Sequence, residues 1–123
     1  MTSNLKCSFI AATLLIVLLG SGVAIADVKI GFLGGFTGPL KSMTPAVHKA
    51  AKLAVRHVND QGGVLEGQKI ILPNADTTCA DTAAAAKAAD SLVNSEKVLA
   101  LVGALCSSAT ISVAEMEIGR AHV

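Results

Sequence analysis

Residues Val98 to Thr110, VLALVGALCSSAT, constrain this chain most, because they read as one strand running through a small-residue loop into a helix. Everything else can be arranged around that loop. Val98 to Val102 form an uninterrupted apolar run, the pattern of a strand covered on both faces, and Gly103 bounds the run before a buried helix could develop. Ser107 and Ser108 then offer hydroxyls suited to capping a helix that continues through Ile111, Val113 and Met116. Such a loop presents unpaired N–H groups at the positive end of a helix dipole, so it can hold a carboxylate or another anion. A capping role for Ser107 alone is the competing reading.

The first 26 residues read as a cleaved leader rather than as part of the fold. Lys6 gives a weakly basic start, Phe9 to Leu19 an apolar stretch, and Ala24-Ile25-Ala26 a small-x-small signal that places cleavage after Ala26. The apolar stretch is well short of the roughly 20 residues a membrane span needs. Cys7 precedes it, so a lipid anchor is not expected. Export into an oxidising compartment leaves Cys79 and Cys106, for which a disulfide is the default and two buried thiols the alternative.

Composition excludes rather than identifies. The 52% hydrophobic content is inflated by the leader and by alanine, and a net charge of +1 without Trp or Tyr gives no footprint for nucleic acid.

Val28 to Leu33 reads as a strand, followed by the loop GGFTGPLKSM. That loop contains no G-x-G-x-x-G and lacks the lysine and hydroxyl ending of a P-loop, so nucleotide binding is not expected. Thr44-Pro45 opens a helix whose apolar stripe is Val47, Ala50, Ala51, Ala54 and Val58, ending at Asn59-Asp60-Gln61-Gly62-Gly63. His48 and His57 are expected at the surface, without partners at metal-ligand spacing. A turn at Leu65-Glu66-Gly67 leads to a second strand, Gln68 to Pro73, and then to a loop, Asn74 to Cys79. Asp81 or Thr82 can cap the alanine-rich helix from Ala83 to Val93. Asp76, Asp81 and Asp90 lack the alternation of a calcium loop, and capping and solvation account for them. No metal and no cofactor is expected.

The order strand, helix, three times over, implies an α/β fold: a parallel sheet of strand-helix repeats with right-handed crossovers. With the first strand central the strand order begins 2-1-3, and a crevice opens at the carboxyl ends where the connection reverses. The loops GGFTGPLKSM and GALCSSAT should both face it.

The set formed by GFTGP, A-x-x-A-V-x-x-V-N, GGVLEGQKI, ADTTCAD and GALCSSAT, in this order behind a leader, resembles the periplasmic leucine/isoleucine/valine-type solute-binding proteins of ABC importers. The resemblance implies a type I periplasmic-binding-protein fold, two α/β lobes joined by three hinge crossings. Residues 27–116 would be a partial N-terminal lobe. It implies that Cys79 and Cys106 are the disulfide pair of that lobe, that Ser107 binds the α-carboxylate of an amino acid, and that Leu105 and Cys106 line the side-chain pocket. Met43 stands where relatives that bind branched amino acids often carry an aromatic residue, so amides and urea-like solutes stay open beside branched-chain amino acids. A periplasmic location and an ABC-transporter permease as partner follow from the same resemblance. A ligand-sensing domain of a receptor or regulator is the alternative with the same fold. No enzyme is expected, since Cys106 lacks the flanking glycine of a nucleophile elbow and has no evident histidine base. The last residues, 117–123, EIGRAHV, can be encoded by a common sequencing adapter and are expected to be non-native, with Gly119 breaking the helical pattern.

Overall fold

The computed structural model describes residues 26–120. The leader reading therefore falls outside the described residues except at Ala26, as do the last three residues of the expected tail.

Strand β1 (Val28–Gly34) is the axis of the sheet. It is followed by a 3-10 turn at Gly38–Leu40, helix α1 (Thr44–Asp60), short strands β2 (Ile70–Ile71) and β3 (Asn74–Asp76), helix α2 (Thr82–Asn94), strand β4 (Ala100–Gly103) and helix α3 (Ser107–Arg120). All strand pairings are parallel, with Val28 opposite Ile70, Phe32 opposite Asn74 and Ile30 opposite Ala100. The backbone bonds of β1 alternate between its two edges. Val28 and Phe32 donate to Lys69 and Pro73 at 2.8 Å and Gly34 accepts from Thr77 at 2.9 Å, whereas Lys29 and Leu33 accept from Leu99 and Ala104 at 2.9 Å. Thus β2 and β3 are two halves of one line along one edge, interrupted at Leu72-Pro73, where proline has no N–H to give a ladder. The expected 2-1-3 order holds, with β1 central and β4 as the third of the expected strands. Pairing also continues past Pro73 to Asp76, where a loop was expected.

The crossover from β1 to β2 and the crossover from β3 to β4 run in opposite directions across the sheet, so right-handedness puts their helices on opposite faces. Phe32 turns toward α1, while Gly31 and Leu33 turn toward α2 and α3. The main core gathers Leu33, Ala85, Ala89, Leu92, Val98, Ala104, Ala109 and Val113. It is built of small residues: Ala85 and Ala89 let α2 lie close to the sheet, and a Cβ on Gly31 would stand 2.8 Å from Leu101 and 2.9 Å from Leu92.

Three expectations from the sequence change here. The Val98–Val102 run is not covered on both faces: Val98 is buried, but Leu99 is 77% and Val102 50% exposed. Helix α1 lies over β1 and β2 and leaves β4 bare on that side. The inward face of α1 carries Thr44, His48, Ala51, Val55, Val58 and Asn59, whereas Val47, Ala50 and Ala54 of the expected stripe are exposed. Polar side chains set that rotation. Asn59 mimics a strand neighbour, donating to the Ile70 carbonyl at 2.9 Å and accepting from its N–H at 2.8 Å. Lastly, α3 continues to Arg120, so the glycine at 119 that interrupts its apolar pattern does not end the helix.

Candidate functional site

The loops after β1, β3 and β4 meet at the carboxyl ends of the strands, and the one after β3, residues 77–81, was not foreseen as part of the crevice. Cys79 and Cys106 are joined as a disulfide with Cα atoms 5.8 Å apart, an ordinary span for such a bond. The bridge ties the two outer edges of the sheet across the end of the central strand. Gly35 lies beneath it, and a Cβ there would come within 2.8 Å of the Cys79 sulfur. Gly103 and Gly38 are equally tight: both are left-handed, and a Cβ would sit 2.1 Å from the Leu33 carbonyl oxygen and 2.2 Å from that of Thr78.

Backbone strain gathers at the same end. Thr78 and Cys79 have φ of 56° and 58°, and Ala104 and Leu105 have φ of 74° and 61°, left-handed conformations that L side chains rarely adopt. Each cysteine therefore follows or belongs to a strained pair. Such clusters mark functional sites when the surrounding structure holds them in place.

Helix α3 begins inside this cluster. Thr110 donates its N–H to the Cys106 carbonyl at 2.9 Å, the first bond of the helix, so Cys106 takes the cap position and Ser107 the first helical one. The capping role considered for Ser107 is thus not made. Ser107 and Ser108 instead stand exposed at the open first turn, where N–H groups face outward. Leu105, 37% exposed, and half-buried Cys106 precede them on the same loop. Met43 belongs to the loop after β1, occupies the cap position of α1 and is 60% exposed. Thr44 does not cap α1 with its side chain. Fully buried, its hydroxyl points back to the carbonyls of Gly35 at 2.7 Å and Leu40 at 3.1 Å.

Two residues that sequence reasoning passed over prove central. His48, expected at the surface, is 8% exposed, stacked on Phe32 with ring centroids 4.8 Å apart and edge-on to Phe36 at 5.2 Å. Its Nε2 is buried without a hydrogen-bond partner. Burial, and then the charge of Lys52 one turn on, hold the imidazole below its ordinary value of 6.5. Asp76, assigned to capping and solvation, reaches across to the loop after β1 and accepts the Phe36 and Thr37 N–H groups at 2.9 and 3.3 Å and the Thr37 hydroxyl at 2.5 Å. Only its bond from the Thr78 N–H, at 2.9 Å, is local, the Asx turn that an Asp-Thr-Thr run suggests. The expected helix cap at Asp81 is present, accepting from the Ala83 N–H at 2.8 Å. Among the described residues no cluster of three or more His, Cys, Asp or Glu could hold a metal.

A parallel sheet with a switch point at its central strand, and three loops pinned together there, defines an α/β lobe with a crevice at its strand ends. The chain belongs to the periplasmic binding protein family, which it matches over residues 27–117. It is 40% identical over 93 residues to an amino acid binding protein of Pseudomonas aeruginosa, covering 76% of this chain and 24% of that one. A leucine-specific-binding protein of Salmonella typhimurium is 28% identical over 105 residues, covering 85% and 28%. Among solved structures, the branched-chain amino acid transporter substrate binding protein LivJ of Streptococcus pneumoniae, in complex with isoleucine, is 34% identical with a TM-score of 0.68, covering 76% and 26%. The chain thus spans about a quarter of the length of these relatives, all of which are binding proteins.

Proposed function

We propose that the chain is part of the extracytoplasmic solute-binding component of an ABC importer and supplies one wall of a cleft for an amino acid or a similar small polar solute. The observation that carries this reading is the exposed first turn of α3, with Ser107 at its start, held beside two other loops by the Cys79–Cys106 disulfide at the sheet's switch point. Free N–H groups and a hydroxyl at a helix N-terminus suit a carboxylate. Leu105 and Cys106 would line the apolar part of the ligand, and Met43 would face it from the loop after β1. The function is capture, with no bond made or broken. Delivery would be to a membrane permease, from the periplasm, after removal of residues 1–26.

The test is an NMR titration of the exported chain with L-isoleucine, with isovalerate, a branched acid one methylene smaller and without an amine, and with isobutylamine, a branched amine one methylene smaller and without a carboxylate. One wall should bind weakly, with Kd of about millimolar or above. L-isoleucine and isovalerate should shift the Ser107, Ser108 and Ala109 amides and isobutylamine should not. Shifts confined to other parts of the chain, or equal shifts with all three compounds, would remove Ser107 from the site.

A further inference from the structure

We propose that Asp76 is the positioning residue of this wall, fastening the Phe36–Thr37 turn to the Cys79 loop before any ligand arrives. The inference rests on the solute-binding reading above. It stands on geometry that spans distant sequence, since Asp76 is 40 residues from Phe36 and 39 from Thr37. Its Oδ1 accepts three backbone N–H groups, from Phe36, Thr37 and Thr78, while Oδ2 accepts the Thr37 hydroxyl. Elsewhere the two loops meet at glycines. Gly38 lies against the Thr78 carbonyl and Gly35 against Cys79, both too close for a side chain, so no apolar side chain can wedge these surfaces together. Beyond the Thr77 N–H bond to the Gly34 carbonyl at the end of the ladder, one carboxylate therefore does the fastening. Burial works to raise its pKa, but the bonds from the Thr37 hydroxyl and from the Thr78, Thr37 and Phe36 N–H groups outweigh it and hold Asp76 below its ordinary value.

A second consequence bears on the ligand. The Phe36 and Thr37 N–H groups would be an anion-binding pair if left free, and Asp76 occupies both. A ligand carboxylate is thereby directed away from the loop after β1 and toward the open turn at Ser107. The loop after β1 is left to act through shape.

Residue-resolved hydrogen exchange on the full chain tests this, with Asp76→Ala, Asp76→Asn and Thr37→Val. Hydrogen bonds to a charged group support an exchange increase of at least about tenfold at the Phe36, Thr37 and Thr78 amides in Asp76→Ala, with Ala89 and Leu92 in α2 within about twofold of the parent. Asp76→Asn keeps an acceptor at Oδ1 and should restore most of the protection. Thr37→Val should loosen Phe36 and Thr37 more than Thr78. Unchanged amides in Asp76→Ala, or an increase of the same size in α2, would overturn the local fastening. The same variants are titrated with L-isoleucine, for which Asp76→Ala should bind about tenfold more weakly. If the parent chain gives no response to L-isoleucine, the solute-binding reading fails while exchange still decides the fastening. If the parent binds and Asp76→Ala binds as well, the positioning role is overturned.

Discussion

The carboxyl ends of the strands and the outer edge along β4 are built on opposite terms. At the first, three loops are held by a disulfide, by a carboxylate with four hydrogen bonds and by glycines pressed against carbonyl oxygens. Along the second, Leu99 and Val102 are 77% and 50% exposed, and a groove of about 360 Å³ opens beside Val93, Val98, Leu99 and Leu101. One end is tied by specific contacts between segments distant in sequence; the other offers apolar surface that nothing among the described residues covers. Shape at the site is therefore secured independently of how the edge is completed.

The strongest way to break that contrast is to cut the tie. Reducing the disulfide, or Cys79→Ser with Cys106→Ser, should cost about 3.5 kcal/mol from loop-closure entropy over the 27-residue separation, read as a lower urea midpoint. A loss under about 1 kcal/mol would mean that the loops hold without it. Gly103→Ala should cost about 2–3 kcal/mol, since it forces a left-handed alanine into the Leu33 carbonyl. Its effect should exceed that of Gly62→Ala, also left-handed but in open space.

His48 sharpens the comparison through pH. Its folded-state value lies below 6.5, so as pH falls through 6.5 the unfolded chain takes up the proton first. Stability should drop below that pH and level off once folded His48 also titrates. His48→Phe removes the buried unpartnered nitrogen, should gain about 1 kcal/mol and should flatten the profile between pH 5 and 6.5 in urea titrations. An unchanged profile would assign the dependence to other groups.

The smallest effect is expected at the edge. Leu99→Lys and Val102→Lys should change stability by no more than about 0.5 kcal/mol, because both side chains are already exposed. The same changes should reduce self-association in sedimentation, as a charge on an open strand edge does. A large stability loss would show that this surface is covered in the chain as it stands.

The candidate site was legible in part. The strand-helix alternation and the Asp81 cap could be read because each depends on local pattern, and the 2-1-3 order with its two switch-point loops followed once the first strand was taken as central. Asp76 and His48 could not. A lone aspartate in a polar loop looks like any turn former, and its partners Phe36 and Thr37 become neighbours only once β3 pairs with β1. His48 reads as solvated because Lys49 and Lys52 flank it, yet the Phe32 and Phe36 rings give it an apolar seat.

By itself, then, the sequence determined that strands alternate with helices, that the sheet is parallel and that two cysteines share its loops, since periodicity, capping and composition are local properties of the chain. Tertiary structure alone decided which face of α1 turns inward, that β4 is covered on one side only, and that Asp76 closes the loop after β1. Those outcomes depend on which residues, far apart along the chain, are brought within a few ångströms, and no local pattern carries that information.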